Sequence, residues 1–531
     1  MSRENPQKFF DAALRCRYSP DVSAIGRRRA KPSLGPLALR GLGILIATLG
    51  IGVFLWVSLR RIRYPLDLEW MESGMMCHAL RLLKGQGIYV PPSVDFIPHL
   101  YTPLYPALVA LIGKLSGDVT YLAARLLSLG SFLCALTIGV LWIRREGGSL
   151  VCGLLAMAIP AVTFAETGGF FDLARADSLQ LGLTVLGAYL ASISEGRTRV
   201  TVAAGLALVA GFFAKQTAAP LGVGIGLALL LWDRRQAVVL GLVGVLGFVI
   251  VSGLVNRASD GWFWTYIFRL HQSHPFFAHR AYVETPKTLI AIVGPSLLLC
   301  LWAAIGQWKG RLGERSGRGL WFALWLGLCG MATSCLGFGT QWAHTNAYIP
   351  GVFFLSLAIG VCAGRLWSRP GRSVQESGAK LLRELIVLFL LSLSVLLPLG
   401  RLRVAEHIPH RGHFSAAASL LDRLRAMPGE VLMPFHPFYP HLVGKRTYLH
   451  RMGVWDVRGT VAGPVKDLFA ALREKRFSHI VMDDKVEATW ADWPDVLLYY
   501  RVSERFDGPK VVEGAKTVPS LVLTPMDELS P

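Results

Sequence analysis

Between residues 66 and 89 the chain reads LDLEWMESGMMCHALRLLKGQGIY, so Asp67, Glu69 and Glu72 set three carboxylates side by side directly after an apolar run. Glu69 and Glu72 are three apart, and a helix beginning near residue 67 carries both on one face with Asp67 at its N-cap. One reading is that the acids complement the positive end of that helix. The other is chemistry, since a carboxylate held beside a lipid phase can take a proton from a hydroxyl group. Arg60, Arg61 and Arg63 precede the acids, and Asp95, His99 and Tyr101 follow them, which is enough ionisable material for a pocket.

Further candidates lie farther along the chain. ETGGFFDLARADSLQ brings Glu166, Asp172, Arg175 and Asp177, of which Asp177 either caps the next helix or meets the first acidic cluster across a cavity. FFAKQTAAP puts Lys215 at the tip of two short apolar runs, where a lysine either snorkels to the interface or grips a phosphate. Arg125 has the same two readings. WFWTYIFRLHQSHPFFAHRAY carries His271 and His274 among aromatics, either an interfacial belt or a mobile amphipathic loop over a lipid substrate. Pro275 interrupts the helix that a His271 and His274 metal pair needs, and no third ligand is visible. QWAHTNAYIP places His344 and Asn346 at another helix end, as caps or as substrate contacts. The sequence contains no phosphate-binding glycine loop, nucleophile elbow or zinc signature, so no metal is assigned and no cofactor is implied; a divalent ion is not indicated.

What must position these groups is a membrane bundle. The chain has 531 residues, 53% of them hydrophobic and 17% charged, with the apolar residues in long blocks. The net charge of +20 belongs mostly to short basic clusters between those blocks, which argues for orientation in a membrane and against nucleic acid. Most of the eight cysteines fall inside apolar blocks without ligand spacing and read as small buried hydrophobes. Candidate spans are 37–59, 121–143, 149–165, 177–194, 199–214, 218–232, 236–255, 287–306, 319–338, 344–366 and 381–400, about eleven in all. Several are short against the roughly 20 residues of a full crossing.

The run from 103 to 117 is shorter still. If it does not cross, the basic clusters at 144–145, 197–199, 234–235, 309–318 and 369–380 share the side of the N-terminal tail, as the positive-inside rule asks. It is therefore read as a half-helix at the outer face. The expected fold class is a polytopic α-helical membrane protein with a C-terminal soluble α/β domain. Residues 1–36 form a cytoplasmic basic tail and 37–400 the transmembrane part, with its first outer loop at 60–120. Residues 401–531 form the extracytoplasmic α/β domain.

The acidic stretch DLEWMES, the helix ending ALRLLKGQGIY, YTPLYP opening a short apolar helix, AARLLS, ARADSL and KQT, in this order, resemble the membrane glycosyltransferases of the C superfamily (GT-C). The nearest likeness is to relatives of the protein O-mannosyltransferases and of the aminoarabinose transferase that modifies lipid A. The resemblance covers about residues 37–400. It implies a sugar donor carried on a polyprenyl phosphate, an acceptor glycan, lipid or protein, a catalytic carboxylate in the first outer loop and inversion at the anomeric centre. The family shows neighbouring Asp-Glu where this chain has Asp67-x-Glu69-x-x-Glu72, so the expected base is Glu69, then Glu72, then Asp67. Phosphate contacts fall to Lys215, Arg125, Arg63 or Arg61, and substrate contacts to Asp95, His99, Tyr101, Arg175, Asp177, His271, His274, His344 and Asn346. Because a sugar phosphate already has a good leaving group, one base suffices, unlike a glycoside hydrolase. The rival reading is a lipid or glycan transporter, which calls for paired half-helices and inverted repeats that are not visible.

Overall fold

The computed structural model describes residues 34–310, 312, 317–368, 374–483 and 496–526. All but the end of the basic tail, and parts of the basic loops at 309–318 and 369–380, lie outside those residues.

The apolar blocks fold as helices: α1 (Leu34–Arg61), α2 (Glu72–Leu83), α3 (Leu104–Ser116), α4 (Tyr121–Arg145), α5 (Leu150–Val162), α6 (Asp177–Ser192), α7 (Thr198–Ala214), α8 (Ala219–Trp232), α9 (Arg234–Ala258), α10 (Thr285–Val293), α11 (Leu297–Trp308), α12 (Arg318–Gly339), α13 (Ile349–Trp367) and α14 (Val374–Arg401). Among the described residues seven helical segments are long and apolar enough to cross a membrane: Leu37–Arg61, Tyr121–Arg145, Arg234–Ala258, Arg280–Trp308, Arg318–Gly339, Thr345–Trp367 and Gly378–Arg401. The other four expected spans are helices α5 to α8, each of 13 to 17 residues. They are short because their ends bend into the loops that build the site. The run at 103–117 becomes α3, 13 residues closed by Gly117 in the left-handed region at φ 99°.

Burial separates inner from outer helices. The Thr345–Trp367 segment is 94% buried across its apolar window and Arg234–Ala258 only 11%, so α13 is the hub and α9 turns its leucines and valines to lipid. Short α5 fits between α1, α4 and α13 through close approaches: a Cβ on Gly360 would press on Ala156, and one on Gly139 on Met157.

The C-terminal part adds α15 (Arg411–Ala426) and a four-stranded sheet in the order β1-β2-β4-β3. β1 (Val431–Leu432) runs parallel to β2 (His479–Asp483), while β4 (Pro519–Pro525) is antiparallel to both β2 and β3 (Tyr500–Arg505). Ile480 sits opposite Leu523 and Glu504 opposite Val522. This part shares core with the bundle. Phe438 packs edge-on against Tyr121, and the Val512 and Glu513 amides donate to the Leu68 carbonyl at 3.1 and 2.8 Å.

Candidate functional site

The sequence expectation of a helix starting near residue 67 is corrected: α2 begins at Glu72, and Asp67 and Glu69 lie in the irregular turn before it. Without the shared helical face, the three acids part company. Asp67 faces the C-terminal part, accepting from His436 Nδ1 at 2.7 Å, Tyr121 Oη at 2.6 Å and Ser73 Oγ at 2.7 Å. Glu72 is wholly buried and accepts from Arg125, from the Leu68 amide at 2.7 Å and from the Ala174 amide at 2.6 Å. Only Glu69 opens onto the large cavity, of about 710 Å³. There it accepts from Arg175 Nη1 at 2.6 Å, and Arg175 in turn donates to Tyr101 Oη at 2.8 Å.

Three of the expected phosphate contacts are placed elsewhere. Arg125 is buried, donating to Glu72 and to the Tyr64 and Leu66 carbonyls at 2.6 Å each, so it straps down the turn that carries the acids. Arg61 is buried between Asp172 and Glu513. Arg63 is exposed and Asp95 pairs with Arg446 at 2.7 Å; neither lines the cavity.

Lys215 does line it. Helix α7 stops at Ala214, Lys215 adopts an extended backbone, and its ammonium reaches Asp177 Oδ1 at 2.6 Å. Asn346 donates to the same oxygen at 2.9 Å, so Asp177 anchors the site while Ala176 occupies the N-cap. His271 meets Gln216 Nε2 at 2.7 Å, His344 packs on Phe170, and His99 sits in the wall with neither ring nitrogen bonded among the described residues. An antiparallel bridge, Phe276 to Thr340, brings the His274 loop against the turn after α12.

Sequence reasoning passed over Arg280, Arg451, Asp456, Lys516 and the indoles of Trp70, Trp342 and Trp455, all of which line the cavity. Arg451, Trp455 and Asp456 share the short helix Arg451–Val457, Arg280 opens the turn Arg280–Glu284, and Trp70, Trp342 and Lys516 lie outside helices, none of them in a recognisable motif. The signal available was the aromatic density of 262–282 and the π-turns that interrupt it, Thr265–Arg269 and Arg280–Glu284.

Electrostatics mark Glu69. Burial pushes its carboxyl up to about 7, opposed by Arg175 and assisted by Glu72. His99 is held well below the usual imidazole range by burial and by neighbouring His78 and His450. The arrangement therefore offers a proton acceptor poised near neutrality, a cation bonded to it, and a second cation one loop away. Among the described residues no group of three or more His, Cys, Asp or Glu side chains is placed to hold a metal ion.

With this geometry in view, the likenesses to solved structures are informative. ArnT from Cupriavidus metallidurans in the apo state superposes with a TM-score of 0.57 at 13% identity, covering 92% of this chain and 98% of that one. The same protein bound to undecaprenyl phosphate gives 0.53 at 12%, covering 92% and 97%. The archaeal oligosaccharyltransferase AglB from Archaeoglobus fulgidus, in complex with an inhibitory peptide and a dolichol-phosphate, gives 0.50 at 10%, covering 86% and 73%. The chain shares the fold of these structures. No family model and no curated protein matches the sequence. In this fold, the cavity opens where α6 and α13 begin, where α7 and α12 end, and beneath the C-terminal part.

Proposed function

We propose that this protein is an inverting glycosyltransferase that moves a sugar from a polyprenyl phosphate to an acceptor hydroxyl, with Glu69 as general base. The observation that carries the reading is one cavity holding Glu69, Arg175 and the Lys215–Asp177 pair. The acceptor oxygen attacks the anomeric carbon as its proton passes to Glu69. The bond from that carbon to the phosphate oxygen breaks, and polyprenyl phosphate leaves with the electron pair. Negative charge grows on the departing phosphate, and preorganised cations stabilise such charge. Lys215, Arg175 and Arg280 are assigned that task. Arg175 joins the two halves of the step, because a phosphate that draws it away from Glu69 frees the base. Two structural neighbours hold a polyprenyl-type phosphate, which supports the donor class.

The same reading sets the cavity on the extracytoplasmic side and gives residues 401–531 to acceptor handling. The basic residues Arg144, Arg145, Arg197, Arg199, Arg234 and Arg235 stand at the ends of α4, α7 and α9 remote from the cavity, in keeping with the positive-inside rule. The test is incubation of the purified protein with radiolabelled polyprenyl-phosphate sugars of differing sugar and chain length, following label release and free polyprenyl phosphate. Consumption of at least one donor, lost in Glu69→Gln, is expected. A well-folded protein that consumes none, or a Glu69→Gln variant as active as the parent, would overturn the proposal.

A further inference from the structure

One wall of the cavity is unexplained by the base and its cations. Trp342 and Trp455 stack in parallel, their ring centroids 5.3 Å apart and their planes 9° from coplanar, and Trp70, next in sequence to Glu69, meets Trp455 at 6.1 Å. The indoles make a continuous strip from the half-exposed Trp342 inward to the base. Trp342 holds φ at 63°, a left-handed backbone that a bulky side chain adopts only when its surroundings force it. An anchor at the membrane interface needs only a ring at headgroup depth and accounts for neither the strain nor the stack.

Beside the strip lies Asp456, 4% exposed, and its Oδ1 has no hydrogen-bond partner among the described residues. The nearest cationic candidate, His274 Nε2, is 3.7 Å away, too far for a hydrogen bond. A buried polar oxygen without a partner is costly, and in native proteins it calls for a strain, a catalytic role or a bound group to account for it. Burial pushes the Asp456 carboxyl up to about 8 and holds the His274 imidazole below its usual range, so near neutral pH both are uncharged. A neutral carboxylic acid both donates and accepts, which matches a hydroxyl, itself donor and acceptor.

Resting on the function proposed above, we infer that Trp342, Trp455, Asp456 and His274 form a saccharide subsite that seats a sugar ring of the acceptor. A pyranose presents a C–H face that lies against an indole plane, whose π-face is electron-rich, and a hydroxyl edge that satisfies Asp456. The strip runs from the exposed ring to Glu69, so a sugar seated on it delivers a hydroxyl toward the base. The acceptor class is thereby a glycan or glycolipid.

The test uses the full-length protein in detergent. Undecaprenyl phosphate is added first and its binding followed by thermal shift; the tryptophan fluorescence is then titrated with a panel of methyl glycosides and disaccharides. Saturable quenching by at least one sugar is expected, weakened about tenfold or more in Asp456→Asn and in Trp455→Phe, the order expected for one lost hydrogen bond or ring contact. No quenching by any sugar at its solubility limit, or quenching unchanged in both variants, overturns the subsite. Loss of undecaprenyl phosphate binding in the parent overturns instead the function on which it rests. In turnover with an accepted donor and the quenching glycoside, Asp456→Asn should raise the acceptor KM and leave the donor KM within twofold. A raised donor KM with an unchanged acceptor KM would assign the subsite to the donor sugar and overturn the inference.

Discussion

At the scale of single residues, the three acids after α1 show how position in a sequence underdetermines role. Their partners lie far off in the chain: Arg125 is 53 residues from Glu72, Arg175 is 106 from Glu69 and His436 is 369 from Asp67. The sequence could mark the cluster and rank Glu69 first, yet only the fold brings in the partners that distinguish the carboxylate lining the cavity from the two that are walled off from it. Glu69→Gln should lower turnover by at least about a hundredfold, within the usual range for a lost general base, in a protein that still folds and melts above Glu72→Gln, because Arg175 keeps Tyr101 and the cavity beside it. The groups facing Glu69 are Arg175, Glu72, Asp67 and the Met71 amide, and its carboxyl lies near 7. Activity should therefore fall as pH drops through about 7. Arg175→Met removes the opposing cation and should move that acid limb to higher pH, which a pH profile of kcat/KM reads directly. Glu72→Gln should behave differently, because breaking a buried ion pair typically costs about 3–5 kcal/mol. The expected result is a lower melting temperature and poor yield, and a variant that melts like the parent would contradict the strap.

At the scale of elements, the short helices carry the lesson. Apolar periodicity located nearly every helix, and α3 and the α7–α8 hairpin were marked as too short to be ordinary spans. Their shortness has a use: α7 ends at Ala214 so that extended Lys215 can turn back to Asp177 at the first residue of α6. What periodicity could not supply was the pairing of segments remote in sequence, such as the Phe276–Thr340 bridge that sets His274 against the Trp342 turn. Arg280, Asp456 and Lys516 escape the sequence for that reason, since they stand on short turns or irregular chain far from Glu69 in sequence. Lys215→Ala should leave Asp177 buried with Asn346 and Arg175 for company and should chiefly raise the KM for the lipid-linked donor, by about tenfold or more, since a charge-assisted hydrogen bond is worth about 1.5–3 kcal/mol. Lys215→Gln, which keeps length without charge, should resemble alanine. A donor KM unchanged in both variants would remove Lys215 from the phosphate site.

At the scale of the whole molecule, the first loop and the C-terminal part are tied through His436. Its Nδ1 meets Asp67 at 2.7 Å, its Nε2 lies 3.6 Å from Asp483, and its ring stacks on Tyr439, whose hydroxyl accepts from the Asp67 amide at 3.0 Å. All of this is buried, so the charge of one imidazolium binds two carboxylates that belong to different parts of the chain. Burial alone lowers the His436 pKa, but Asp483 and Asp67 outweigh it and carry it up to about 9. The sign follows from linkage: a histidine raised on folding contributes stability that is complete below its unfolded value, near 6.5, and is lost as pH rises through about 9. Tyr439 faces the same cluster but burial pushes it well above its usual range, so it stays protonated in that window. Asp456 also titrates there, near 8, so the parent's pH dependence is a sum. His436→Gln isolates the link. The parent's melting temperature should fall between pH 7 and pH 9, and the variant should melt lower at pH 7 with a distinctly shallower fall. If parent and variant lose stability in parallel across that range, the tie between loop and C-terminal part does not depend on a charged His436.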